Sequence, residues 1–245
     1  MPYLTDALDS VESQTLDDFE IVVVDGGSRD GTIEACGRTD SPVRILKGGG
    51  IVDSLRRGVQ NAKGTYIARV DADSVSDPKR FERQVSLLES HSNLAAVGSH
   101  ALKVHKSDGS SHVDRRPLSN EAIREELVRR CPMVHPSMMI RRRALLDVGN
   151  YRDYLWEDYE LLTRFASTEN DYTLMNVDEV LVTVYKREES ITGRTPIPLR
   201  VAANLHCGSL AIRRGGYSPL RAVYLHGTQL FSLIGMGRKF WHKYA

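Results

Sequence analysis

The sequence predicts an α/β fold with a mixed, mainly parallel sheet flanked by helices, and three observations predict it. Helical and strand-like segments alternate from residue 3 to about residue 104, the pattern produced by crossover connections in a doubly wound sheet. The strand Phe19-Glu-Ile-Val-Val-Val24 is a nearly unbroken apolar run, as expected where both faces of a strand are covered. Two such strands end in carboxylates, Asp25 and the pair Asp71 and Asp73. In an open α/β sheet the carboxyl ends of the strands border the crevice where ligands bind, so these residues are placed for chemistry.

The elements follow in order. Leu4, Ala7, Leu8 and Val11 recur at helical spacing and predict a helix over residues 3–14. The strand over residues 19–24 runs into Asp25-Gly-Gly-Ser28, where glycines let the backbone approach a ligand closely, and a short helix begins at Thr32. Val43-Arg-Ile-Leu46 is a second strand, and Gly48-Gly-Gly50 opens a helix from Ile51 to about Ala62. Thr65 to Val70 has the β-branched and aromatic content of a third strand and ends at Asp71-Ala-Asp73. Pro78 suits the first turn of a helix over residues 79–90. A strand over 94–104 and a turn at Ser107-Asp-Gly109 predict a hairpin. Ser119 heads a helix, Cys131 to Ile140 is an extended segment carrying His135, and a short helix ends at Gly149. Trp156-Glu-Asp-Tyr-Glu160 opens another helix, whose first turn suits acidic residues because it lies at the positive end of the macrodipole. Residues 172–177 and 180–185 read as a closing strand pair, and residues 196–245 as helical stretches rich in Arg and Lys.

Bulk properties narrow the function. At 245 residues with 41% apolar and 27% charged content, the chain can bury a substantial core, and its composition is neither disordered nor fibrous. Three widely spaced cysteines without a CxxC motif indicate neither a disulfide framework nor a zinc site, so a reducing, cytoplasmic location is expected. No secretory leader or run of about 18 apolar residues is read in the chain. The net charge of +1 conceals an asymmetry: after Glu189 there are eight Lys and Arg and no Asp or Glu. An acidic body with a basic tail suggests contact between the tail and an anionic surface, such as a membrane, or a phosphate. Nucleic acid is not an expected partner.

The chemistry rests on carboxylates. Asp71 and Asp73 offer hard oxygen ligands at i and i+2, able to share one Mg²⁺ or Mn²⁺ while leaving positions open for substrate phosphates. Their bland alternative is an Asx-turn after a strand. Glu157 and Asp158 are likewise explained by helix capping unless other motifs accompany them.

Other motifs do. Val24-Asp-Gly-Gly-Ser-Arg-Asp-Gly-Thr32, Ala62 to Asp73, His135-Pro-Ser-Met-Met-Ile-Arg-Arg142 and Glu157-Asp158, in this order and spacing, closely resemble the inverting nucleotide-sugar glycosyltransferases of family 2, which have the GT-A fold. The resemblance covers about residues 3–190. It implies a GT-A domain over residues 1–190 and a basic helical appendage over residues 191–245. By resemblance, Asp25, with Gly26 and Ser28, belongs to the pocket for the donor's base and ribose; Asp71 faces the nucleotide and Asp73 the divalent metal. His135 stands near the donor diphosphate. Asp158 is the general base, with Glu157 beside it. The implied partners are a nucleotide-sugar donor and a glycan or lipid-linked acceptor at the cytoplasmic face of a membrane. Three departures stand out: the family's first strand, ending in a Pro-x-Tyr-Asn-like segment, is not seen ahead of residue 3; Gly26 replaces a frequent second Asp; and Ser74 follows the Asp71/Asp73 pair where a further Asp is common. Loss of that strand from the sheet would leave a groove of unpaired backbone groups, so the alternative expectation is an impaired nucleotide-sugar-binding or partner-binding module.

Overall fold

The computed structural model describes residues 2–186 and 195–216. It begins with α1 (Pro2–Glu12), β1 (Ile21–Asp25), α2 (Thr32–Cys36), β2 (Val43–Lys47) and α3 (Ile51–Asn61). There follow β3 (Tyr66–Ala68), β4 (Ser74–Ser76), α4 (Arg80–Ser90) and the hairpin of β5 (Leu94–His105) with β6 (Ser111–Asp114). Next come α5 (Asn120–Glu126), a 3₁₀ turn at His135–Ser137, β7 (Met139–Arg141), α6 (Arg142–Asp147), α7 (Glu157–Phe165) and the long β8 (Thr173–Lys186). The last described helix is α8 (Ile197–Arg214), which packs against α7.

The α/β class and the mixed sheet are as expected, and the sheet is divided in two. β1 and β2 form a two-stranded parallel sheet. The larger sheet runs β3-β7-β5-β8-β4, with β6 on β5. Within it only β5 and β8 are parallel; the pairs β3 with β7, β5 with β7, β4 with β8 and β5 with β6 are antiparallel. Among the described residues no strand pairs the second edge of β1 or of β3, so no ladder joins the two sheets. Val22 to Asp25 are accordingly only half-buried rather than covered on both faces. The two sheets are tied instead by side chains: a Glu20 carboxylate oxygen, just before β1, accepts from the backbone N–H groups of Lys63 and Gly64, just before β3.

Two further corrections concern the ends of strands. Residues 172–177 and 180–185 are one strand, β8, because β5 is long enough to pair along its whole length. The exposed pair Asp178-Glu179, which reads as a turn, is taken up at a register shift opposite Ser99 and His100. The strand over residues 65–70 is shorter than its composition suggests, and β4 carries no sequence pattern, being only Ser-Val-Ser. The hairpin turn stands where expected, with Gly109 at φ 70°, and the Ser119 hydroxyl caps α5 by accepting from Ala122 N at 3.3 Å.

Cores form on both faces of the larger sheet. Neighbouring strand residues point to opposite faces. Ile140 packs with Leu145, Tyr159, Leu162, Phe165 and Cys207, while Met139 packs with Leu8, Ile21, Phe81 and Leu88. The cysteines are free. No helix among the described residues is long and apolar enough to cross a membrane. The expected domain boundary at residue 190 and most of the basic tail, including Arg194, Arg221, Arg238, Lys239 and Lys243, lie outside the described residues.

Candidate active site

A pair of buried polar side chains on α4 holds the site segments together. Arg80 is fully buried, and its guanidinium donates to Arg69 O at 2.8 Å, Met138 O at 3.2 Å, Ser76 Oγ at 2.9 Å and Gln84 Oε1 at 3.1 Å. Gln84, one turn on, donates to Val97 O at 2.9 Å and Ser137 O at 2.7 Å. The exit of β3, the end of β4 and the His135 turn are therefore fixed relative to one another by buried hydrogen bonds, those from Arg80 charge-assisted.

At the exit of β3, Asp71 pairs with the guanidinium of Arg69, whose other arm donates to Val70 O. Burial alone opposes the Asp71 charge, but Arg69, His135 and Arg80 outweigh it and hold the carboxyl below its ordinary range. Burial opposes the Arg69 charge as well, and Asp71, Tyr151 and Glu157 around it keep the guanidinium firmly protonated. The turn is closed by Ser74, whose hydroxyl donates to Asp71 O at 2.9 Å. Asp73 stands half-buried in the same turn, its carbonyl accepting from Tyr185 N at 3.2 Å.

His135 and the start of α7 meet this turn. His135 Nε2 is hydrogen-bonded to the Tyr151 hydroxyl at 3.0 Å, and its Nδ1 lies 3.8 Å from Glu157 Oε1. Burial and the nearby Arg69 push the His135 pKa down to about 4, so the ring is neutral near pH 7 and the approach to Glu157 is not an ion pair. Burial and the adjacent Asp158 push Glu157 up to about 7. Asp158 stands in the first turn of α7; its Oδ1 accepts from Tyr159 N at 2.8 Å and its Oδ2 faces the Cys131 thiol at 3.7 Å. The Cys131 thiol is held neutral by burial and by Asp158.

Asp71, His135, Glu157 and Asp158, far apart in sequence, thus share one electrostatic cluster. Asp25, Gly26 and Ser28 do not join it. Asp25 accepts from Gly27 N at 3.0 Å and Ser28 N at 3.1 Å within its own turn, with the Ser28 hydroxyl lowering its pKa further. This turn leans on the glycine loop after β2, where Gly48 N donates to Asp25 O at 2.7 Å and a side chain at Gly26 would meet Gly49 O at 3.4 Å. Arg69, Arg80 and Tyr151 belong to the cluster but were not found from sequence; the one available signal was a basic residue, Arg69, inside a strand-like apolar run.

The donor set suits a hard divalent cation, since Asp71 and Asp73 supply carboxylate oxygens two residues apart at a strand's end. No group of three His, Cys, Asp or Glu among the described residues could hold a metal by itself. A cation there would draw its remaining ligands from phosphate oxygens and water, the arrangement Mg²⁺ commonly adopts.

The Glu157 shift has a measurable consequence. Between about pH 4.5 and pH 7 the folded chain keeps a proton that the unfolded chain releases, so Glu157 removes stability as pH rises through that window. His135 acts with the opposite sign between about pH 4 and pH 6.5, so only a comparison isolates Glu157. Urea unfolding of wild type and Glu157→Gln across this range should show the variant gaining on wild type with rising pH, by up to about 3 kcal/mol. A difference that stays constant with pH contradicts the assignment.

Comparisons with known proteins identify the family. Residues 1–149 match the family model Glycosyl transferase family 2. The amylovoran biosynthesis glycosyltransferase AmsE of Erwinia amylovora is 27% identical over 243 residues, covering 96% of this chain and 88% of its own. The putative glycosyltransferase EpsE of Bacillus subtilis is 28% identical over 198 residues, covering 76% and 69%. Among solved structures, S. aureus TarS in complex with UDP-GlcNAc superposes with a TM-score of 0.71 at 17% identity, covering 94% of this chain and 68% of that one. The mannosyltransferase PcManGT of Pyrobaculum calidifontis, in complex with GDP-Man and Mn²⁺, does so with a TM-score of 0.62 at 19% identity, covering 97% and 72%. The fold is that of GT-A glycosyltransferases, and the chain belongs to glycosyl transferase family 2.

Proposed function

We propose that the protein is an inverting glycosyltransferase that moves a sugar from a nucleotide-sugar donor to a glycan or lipid-linked acceptor. The observation that carries this reading is the convergence of Asp71, His135, Glu157 and Asp158 on one buried-edged cluster at the end of β3. The nucleotide-sugar ligands of TarS and PcManGT support the donor class.

In this reading Asp25, Gly26 and Ser28 border the base and ribose, and Asp71, aligned by Arg69, contacts the nucleotide. Asp73 and Asp71 hold Mg²⁺ or Mn²⁺, which when bound neutralises charge developing on the departing diphosphate. A neutral His135, anchored by Tyr151, offers the diphosphate a hydrogen bond rather than a charge. The acceptor hydroxyl oxygen attacks the anomeric carbon as the bond from that carbon to the diphosphate oxygen breaks; the bonding pair leaves with the diphosphate. Asp158 takes the proton released by the hydroxyl, because a neutral hydroxyl is a poor nucleophile near pH 7. A single base on the side opposite the leaving group gives inversion in one step. Glu157, driven toward its protonated form, keeps a second negative charge away from the attacking oxygen.

A second reading, a binding module without turnover, is favoured by the edges of β1 and β3 that no strand pairs among the described residues. Wild-type transfer with donor and Mn²⁺ separates the two. Asp158→Asn is expected to lower kcat by at least about a hundredfold, the usual contribution of a positioned general base, with donor binding by thermal shift unchanged. Retained turnover in the variant excludes Asp158 as the base. For location, we infer a cytoplasmic protein peripheral to the membrane, its basic appendage from residue 191 onward meeting anionic lipid. Sedimentation with phosphatidylglycerol vesicles should fall sharply on deletion of residues 194–245 and with added salt; unchanged binding removes the membrane assignment.

A further inference from the structure

Next to Asp158 lies a cavity of about 250 Å³ that the donor groups do not explain. Arg116, Arg130, Cys131, Trp156 and Asp158 are among its walls. It is smaller than the roughly 300–1,000 Å³ of pockets that hold drug-sized ligands, so it has room for about one sugar ring. Resting on the glycosyltransferase reading, we propose that this cavity is the acceptor subsite and that it selects a sugar bearing a negative group, a carboxylate or a phosphate.

The cavity has two chemically different ends. One is Asp158, placed to receive the proton of the attacking hydroxyl. The other is cationic. Arg116 donates to Asp114 at 2.6 Å, but Asp114 is also paired with Lys103, leaving one positive charge in excess. Arg130 shares Glu126 with Arg129, which leaves another. Cys131 spans the ends: its carbonyl accepts from Arg116 at 2.7 Å and its thiol faces Asp158. The distance between cation and base is therefore set by a single residue, a span that one monosaccharide bridges.

The Trp156 indole also offers an aromatic wall for the apolar face of a sugar ring, and it directly precedes the two carboxyl residues of α7. An acidic sugar with its anion toward Arg116 and Arg130 and a hydroxyl toward Asp158 meets both ends of the cavity.

The test uses Trp156 as its own reporter. The chain has two tryptophans, so a Trp241→Phe background leaves Trp156 as the sole indole. In the presence of UDP and Mn²⁺, its fluorescence is titrated with glucuronate, glucose 6-phosphate and glucose. At least one of the two acids should bind about tenfold or more tighter than glucose, and which of them does so distinguishes a carboxylate from a phosphate. Arg130→Gln, an exposed position that can change without disturbing the core, should abolish most of that preference, and Arg116→Gln should do likewise. Equal binding of acids and glucose, or no response to any of them, overturns the proposal. Donor binding is measured separately by thermal shift with nucleotide sugars and Mn²⁺: its presence without a charge preference refutes only the acceptor proposal, whereas its absence refutes the glycosyltransferase reading too.

Discussion

Everything at the site depends on one buried cation, Arg80. A guanidinium removed from water is costly unless its donors are met, and Arg80 meets them with two backbone carbonyls, a hydroxyl and the Gln84 amide. Those acceptors belong to different parts of the chain: the exit of β3, the end of the His135 turn and β4. A packed apolar residue could fill the same volume, but it would not specify where these three short segments lie relative to one another. β3, β4 and β7 have three residues each, too few to fix their own register by ladder bonds alone.

Charge on that framework is graded rather than uniform. Arg69 holds Asp71 ionised, burial together with Arg69 keeps the neighbouring imidazole neutral, and Glu157 is pushed toward its acid form. Within one cluster, therefore, stand carboxyl groups in opposite environments, Asp71 stabilised as an anion by a guanidinium and Glu157 discouraged by burial and by Asp158. Separation of this kind lets one fold carry both a ligand-facing anion and a neutral hydrogen-bonding surface near pH 7. Placing Asp158 at the positive end of α7 adds a further favourable field for negative charge there.

Much of this was legible in the sequence because it depends on local chemistry. Apolar periodicity located α1, the run Gly48-Gly-Gly50 marked the start of α3, acidic residues the first turn of α7 and the hydroxyl of Ser119 the start of α5, and the ordered Asp25, Asp71, His135 and Glu157-Asp158 motifs pointed to the family. What was not legible depends on tertiary placement. Arg80 and Gln84 lie on an amphipathic helix where polar residues ordinarily face water, and nothing local distinguishes them from Arg83 or Glu82. Strand direction in the larger sheet was hidden because apolar runs look alike whether their neighbours are parallel or not. β8 was misread as two strands because a bulge and a turn present the same exposed acidic pair to the reader. The separation of the Asp25 turn from the Asp71 cluster is likewise a property of how the two sheets are joined, which no motif encodes.

The central claim is that these dispersed residues form one site for a nucleotide sugar, a divalent cation and an attacking hydroxyl. A crystal structure of the protein soaked with a nucleotide sugar and Mn²⁺ tests it most directly. The account predicts anomalous density for Mn²⁺ on Asp73 and Asp71, a diphosphate beside it near His135, and the sugar's anomeric carbon between that diphosphate and Asp158. A nucleotide bound away from the Asp71 turn, or a metal held by other residues, contradicts it.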